Sequence, residues 1–235
     1  MNLSQVTEIR TLLEIDNAAE SLRASLEDTE WRIANSPELD RARTQFEDAA
    51  LSLAEAKKDQ RRLDGEIAGL TAKIEPEEKR LYDGSVKNPK ELTAIQHELD
   101  LLKDHRSKLE DELLEVLATV EEATAANKAA KAALAKIEAG RATEVTELTA
   151  EAKRLASAIA ATDSNRLAQL AKVEPRNMKS YNDARRRHGS SAVARVAGGN
   201  CGGCRVGIPE SVRKRAFTAD LIAQCPNCDR ILYVG

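Results

Sequence analysis

Aromatic side chains are nearly absent: two Phe, three Tyr and one Trp in 235 residues. Each ring would bury a large apolar area, so this few excludes a large globular core. Long apolar runs are missing as well. None approaches the ~18 residues that a membrane span needs, and no membrane partner is expected. The three histidines are scattered. No GxGxxG, P-loop, HExxH or nucleophile elbow occurs, and the carboxylates fall on solvated helix faces. Neither an enzyme nor a small-molecule substrate is expected. The N-terminus, Met1-Asn-Leu-Ser-Gln-Val-Thr-Glu, has no basic stretch followed by an apolar one, so it does not read as a signal peptide. A cytoplasmic location with reduced thiols is expected.

The chain does contain two cysteine pairs. Its four cysteines form Cys201-Gly-Gly-Cys204 and Cys225-Pro-Asn-Cys228, two C-x2-C turns about 20 residues apart, the zinc-ribbon spacing. Two thiolates from one tight turn can hold the same ion, and a second turn completes a tetrahedron around Zn²⁺. One structural zinc on Cys201, Cys204, Cys225 and Cys228 is expected. Two disulfides would suit a secreted chain. A thioredoxin-like redox pair would want a βαβ context and a single C-x2-C.

Charged residues make up 32% of the chain, and Ala, Leu, Glu, Lys and Arg dominate, which favours long helices or coiled coil. The net charge of −3 hides an asymmetry. Residues 176–235 hold 11 Lys and Arg against 4 Asp and Glu, whereas residues 1–175 hold 25 against 35. The basic end suits an anionic partner.

Apolar residues alternate at three and four through most of the first 175 positions. One run reads Leu12, Ile15, Ala19, Leu22, Leu26, Thr29, Ile33. A second reads Leu39, Ala42, Phe46, Ala49, Leu53, Ala56, Gln60, Leu63, Ile67, Leu70, Ile74, Glu77, Leu81. A third reads Leu92, Ile95, Leu99, Leu102, Arg106, Leu109, Leu113, Val116, Val120, Ala123, Asn127, Ala130, Leu134, Ile137. Repeats sustained over this many heptads are a coiled-coil seam. Beyond Ile137 the seam drifts through Val145, Leu148, Ala152, Leu155 and Ile159. Arg106 and Asn127 are polar seam positions of the kind that fix register.

Pro37, after Asn35-Ser36, and Pro89, after Asn88, each fit the first position of a new helix. Glu91 follows Asn88 as in a capping box. Helices are expected over about 2–34, 37–82 and 89–172, with a kink at Pro76 and a kink or hinge at Thr162-Asp-Ser-Asn165. The second helix should pack antiparallel on the first half of the third, with residues 83–88 at the tip, and the rest of the third should return beside the first. A second copy zipped through the same heptads is the competing arrangement. The tip turn favours the hairpin, and a monomer is expected. Trp31 is expected to pack a junction.

Residues 1–174 thus read as a helical arm, 175–190 as a short helix and linker, and 191–235 as the four-cysteine ribbon. In the ribbon, Ala192–Val196 reads as the first strand and Glu210–Phe217 as a short helix or loop. Leu221–Gln224 feeds the second knuckle and Ile231–Val234 leaves it, making a small antiparallel sheet. So slight a core should take much of its folding free energy from the metal. Around it stand Arg185, Arg186, Arg187, Arg195, Arg205, Arg213, Lys214, Arg215 and Arg230, candidate contacts to a phosphate backbone of RNA or DNA. Phe217 and Tyr233 read first as core and second as stacking surfaces for unpaired bases.

The ending Cys-Pro-Asn-Cys-Asp-Arg-Ile-Leu-Tyr, the opening Cys-Gly-Gly-Cys with Ile-Pro after it, and the tip Asn88-Pro89-Lys90-Glu91-Leu92 together resemble the bacterial zinc-ribbon proteins with an N-terminal coiled-coil hairpin. The resemblance covers essentially the whole chain. It implies a mainly α protein, a long antiparallel coiled-coil hairpin followed by a small C-terminal β zinc ribbon. It also implies zinc on the four cysteines. The tip residues Asn88, Pro89, Lys90 and Glu91 are a candidate contact for a protein partner. The family usually has Gly after the last cysteine, where this chain has Asp229, a residue that tolerates a left-handed backbone. Some members look like adaptors or chaperones for transcription and flagellar-export components, with a link to RNA. Two readings follow. One is an adaptor with a protein partner on the coiled coil and a nucleic acid or second protein on the ribbon. The other is a nucleic-acid-binding protein whose arm is mainly a spacer.

Overall fold

The computed structural model describes residues 5–217 and 222–234. Five helices and four short strands follow one another: α1 Gln5–Ala34, α2 Pro37–Tyr82, α3 Pro89–Leu170, α4 Pro175–His188, a 3-10 turn Gly189–Ser191, β1 Val193–Ala197, β2 Asn200–Cys201, α5 Glu210–Ala216, β3 Ala223–Gln224 and β4 Ile231–Tyr233. Two compact units result. One is Ser36–Glu144, and the other holds the chain up to Asn35 and from Val145 onward.

The unit Ser36–Glu144 is a helical hairpin. Ser36 caps α2, its hydroxyl oxygen accepting from Leu39 N at 3.4 Å, and Pro37 occupies the first turn, where its missing N–H costs nothing. Every seam position read from the heptads of α2 and α3 is buried or half-buried. Leu63 and Leu70 pack with Leu109, and Ile74 packs with Ile95 and Leu99. Residue numbers rise along one helix as they fall along the other, so the two are antiparallel. Helix α2 runs on through Pro76. At the turn, Gly84 takes a left-handed φ of 75°, and Asp83 Oδ1 accepts from Ser85 N at 2.8 Å. Asn88 Oδ1 then caps α3 by accepting from Lys90 N at 3.0 Å. Glu91, read as the far side of a capping box, instead lies 3.5 Å from Arg80 across the hairpin.

In the other unit, α1 lies against the last turns of α3 and against α4. Ile9, Leu12 and Leu13 of α1 share one buried cluster with Val173, Tyr181, Ala184, Ala192 and Ile231. A polar network sits beside it. The buried Asp16 carboxylate accepts from Tyr181 Oη at 2.6 Å and Arg166 Nε at 2.5 Å, with Arg185 Nε 3.6 Å away. Gln5 Oε1 accepts from Glu174 N at 2.9 Å and Asn177 Nδ2 at 3.0 Å, which ties the start of α1 to the start of α4. Helix α3 passes unbroken through Thr162–Asn165, where a kink or hinge was expected. Thr162 Oγ1 bonds back to Ala158 O at 2.8 Å, and Asp163 pairs with Arg23. Trp31 does not pack a junction, because it is 57% exposed.

The four strands lie in the order β2-β1-β4-β3. The sheet is not wholly antiparallel as the sequence suggested: β1 and β4 pair in parallel, Val193 opposite Ile231 and Arg195 opposite Tyr233. Direction explains this. Strands β2 and β3 each lead into a cysteine knuckle, so both run toward the metal centre. Their antiparallel partners β1 and β4 both run away from it and are therefore parallel where they meet. Alternation along β4 sends Ile231 into the helical cluster and Leu232 into the cluster with Cys201 and Cys225. The expected feeder strand includes Leu221, which lies outside the described residues.

Candidate metal centre

The two knuckles are built alike. In the first, Cys201 N donates to Val206 O at 2.9 Å and Arg205 N to Cys201 O at 2.7 Å. In the second, Cys225 N donates to Arg230 O at 2.9 Å and Asp229 N to Cys225 O at 2.8 Å. Each tight turn needs a left-handed residue straight after its second cysteine. Arg205 has φ 65° and Asp229 has φ 59°, the position at which Asp229 was expected to be tolerated. A left-handed conformation costs most residues about 1–2 kcal/mol. Arg205→Gly is therefore expected to stabilise the metal-loaded protein by about 1 kcal/mol, read as a rise in urea midpoint. Asp229→Gly should gain less, because it also removes an ion pair to Arg187. The first knuckle is crowded at its two glycines, against backbone at Gly202 and against a movable side chain at Gly203. A Cβ on Gly202 would stand 2.8 Å from Arg195 O, and one on Gly203 would stand 2.5 Å from the Arg230 side chain.

The four sulfur atoms all lie within 4.8 Å of one another. Cys201 and Cys228 are 3.9 Å apart, and Cys204 and Cys225 are 3.7 Å apart. A Zn–S bond of about 2.3 Å implies tetrahedron edges of about 3.8 Å, so the donor set fits zinc. All four cysteines are free thiols. Backbone N–H groups of Gly203 and Cys204 are directed at the Cys201 sulfur, and those of Asn227 and Cys228 at the Cys225 sulfur. Burial nevertheless pushes the Cys201 thiol up and the Cys225 thiol up to about 12. Cys204 is drawn down to about 6, chiefly by the Val206 N–H. A bound dication would hold all four as thiolates and cross-link the knuckles. Four protein ligands close the coordination sphere, which leaves no position for a reacting water.

The basic residues divide by surroundings. Arg185 is drawn into the α1–α4 network, 2.6 Å from Glu20 Oε1. Its pKa is raised by Tyr181, Glu20 and Asp16 against the opposing effect of burial. Arg186 pairs with Asp183 at 3.0 Å, Arg187 with Asp229, and Lys214 with Glu210 at 3.1 Å. Arg230 Nε donates to Ser191 O at 2.8 Å and its side chain covers Gly203. Arg213 lies over Gly199, while Arg195, Arg205 and Arg215 are exposed on the ribbon. Phe217 is not core: it is 66% exposed at the end of α5. Tyr233 is half-buried, with the Arg10 guanidinium 4.2 Å above its ring. Sequence reasoning missed Arg10, which stacks on Tyr233 of the ribbon, and the Asp16–Tyr181 pair, which ties α4 to α1.

A model of the CT398-like coiled coil hairpin domain matches residues 11–189. The chain belongs to this family. A model of the C4-type zinc ribbon domain matches residues 200–232 of this family member. An uncharacterized protein of Mycobacterium tuberculosis is 31% identical over 185 residues, 72% of each chain. Among solved structures, the CT398 protein of Chlamydia trachomatis aligns with a TM-score of 0.70 at 17% identity, covering 98% of both chains. A protein of Mycobacterium smegmatis aligns with a TM-score of 0.59 at 25% identity, covering 98% of this chain and 99% of the other. The CT398-like fold and the bacterial character of its relatives are thereby fixed, and neither matching domain is an enzyme family. No helix among the described residues is long and apolar enough to cross a membrane.

Proposed function

We propose that this CT398-like protein is a non-enzymatic adaptor, with a protein partner on the coiled-coil hairpin and a nucleic acid on the zinc ribbon. The observation that carries the ribbon half is Phe217, 66% exposed, one helical turn beyond Arg213 and Lys214 on α5. An aromatic face beside cations is what stacking on an unpaired base with a neighbouring phosphate contact requires. Arg205 and Arg215 extend the positive surface. Arg185 and Arg230 are withdrawn from it by their internal partners, and Arg195 remains a candidate. On the hairpin, Tyr82 is 79% exposed at the tip, next to Asn88, Pro89, Lys90 and Glu91, and offers an anchor for a protein. The four cysteines hold the ribbon's shape and take no part in chemistry. The protein acts as a monomer.

Tagged protein would be purified from its own cells with and without nuclease, at increasing salt. Nucleic acid held by the ribbon should leave steeply as salt rises, whereas a partner docked on the hairpin should not. Charge reversal at Arg213, Lys214 and Arg215 together should lower the slope of log K against log salt by about 1 for each phosphate no longer neutralised. It should leave the protein partner in place, and Tyr82→Ala should do the converse. Nuclease-insensitive material that carries no nucleic acid at any salt would overturn the ribbon half.

A further inference from the structure

We propose that Arg187 and His188, in the last turn of α4, are positioning residues that hold the second cysteine knuckle in its metal-binding shape. Four successive residues leaving that knuckle are each tied to the stretch 187–192. His188 Nε2 donates to Cys228 O at 2.6 Å, so this nitrogen carries the proton. Arg187 pairs with Asp229, the left-handed residue of the turn. Arg230 Nε donates to Ser191 O at 2.8 Å, and Ile231 N donates to Ala192 O at 3.0 Å. The helix that supplies these groups is itself fixed from behind. Tyr181 and Ala184 are fully buried in the cluster with α1, and Arg185 reaches Asp16 and Glu20.

Among the described residues, the backbone bonds of the first knuckle provide no such brace. Cys201 N, Gly202 N and Ile208 N donate to Val206 O, Arg195 O and Gly199 O, all within its own hairpin. One half of the centre is thus braced by α4, whereas the backbone bonds of the other stay within its own hairpin, with only the Arg230 side chain laid over Gly203. The Cys225–Cys228 half keeps its form without metal, and metal leaves by way of the Cys201–Cys204 half.

Zinc-loaded full chain would be challenged with a chromogenic chelator. His188→Ala is expected to weaken zinc retention about 10- to 100-fold, the usual effect of removing a group that orients a ligand. His188→Gln, whose amide N–H can reach the same carbonyl, should restore most of it. Asn182→Ala, on an exposed face of the same helix, should change nothing. Cobalt substituted for zinc should keep its tetrathiolate absorption in every variant. If His188→Ala and His188→Gln behave alike, or neither moves, the assignment fails. A second measurement needs no variant. In metal-free wild-type protein the amides of Cys225 and Asp229 should exchange at least tenfold more slowly than those of Cys201 and Arg205. Equal exchange would overturn the proposal.

Discussion

Cys225→Ser is expected to take the protein from one zinc per chain to none after chelator challenge, and to leave α1 to α4 folded. Cys225 is buried and shares its cluster with Cys201, Ala194, Ile208, Ala223 and Leu232. Removing its thiolate leaves three ligands and opens that side of the sheet. Without the metal cross-link, nothing else joins the knuckles through their sulfurs, so Leu232 and Ile208 lose their cover. The helical side is different. Ile231, Ala192, Tyr181 and the α1 leucines form a cluster that contains no cysteine. The helix signal in circular dichroism should therefore fall by no more than the seven residues of α5 contribute, while protease should cut within the first knuckle and α5, between Val196 and Ala216. A loss of most helix signal on metal removal would show that the ribbon organises the helices rather than the reverse. The sequence suggested a ribbon that takes much of its folding free energy from the metal, and the structure places the cysteines against one face of the sheet and the helical cluster against the other.

Asp16→Ala should be the most destabilising polar substitution, costing about 3–5 kcal/mol, since it strands buried donors and an arginine that lose their acceptor. The carboxylate is 5% exposed and meets Tyr181, Arg166 and Arg185. Burial and the hydrogen bond to Asp16 together push the Tyr181 hydroxyl far above its ordinary range, so it remains a neutral donor. Tyr181→Phe removes one donor from Asp16 but keeps the ring, and should cost about 1–2 kcal/mol. Urea denaturation followed by helix signal would compare the two. Equal and small effects would mean that water replaces the network without loss.

The seam was legible in the sequence because a helix pair imposes one rule at every turn. Leu63, Leu70, Ile74, Ile95 and Leu109 fall on the three-four alternation and are all buried. The cysteine spacing was legible for a similar reason, since a metal demands paired donors at short separation. What escaped was everything set by distant chain. The partners of Asp16, 150 and 165 residues away, leave no local signal. A weaker hint was available in α1: Val6, Ile9, Leu12 and Leu13 make a stripe wider than a seam, a sign of more than one neighbour. Phe217 and Trp31 misled because a lone aromatic in a ring-poor chain reads as core by composition. The parallel pairing of β1 and β4 follows from the directions of two hairpins relative to one metal, which spacing alone does not encode.

The cluster that joins Ile9 and Leu12 to Ile231 has a bearing on how the chain is made. Its first and last members are about 220 residues apart in sequence. At about 5–20 residues per second, the first helix waits on the order of 10–40 s on the ribosome before its last partner emerges. Until Leu170, Val173 and Tyr181 have been made, α1 carries an apolar stripe with no mate, while the hairpin of α2 and α3 can already close on itself. Chaperone contact during synthesis would be concentrated on α1, and truncated nascent chains ending before α4 would aggregate through it.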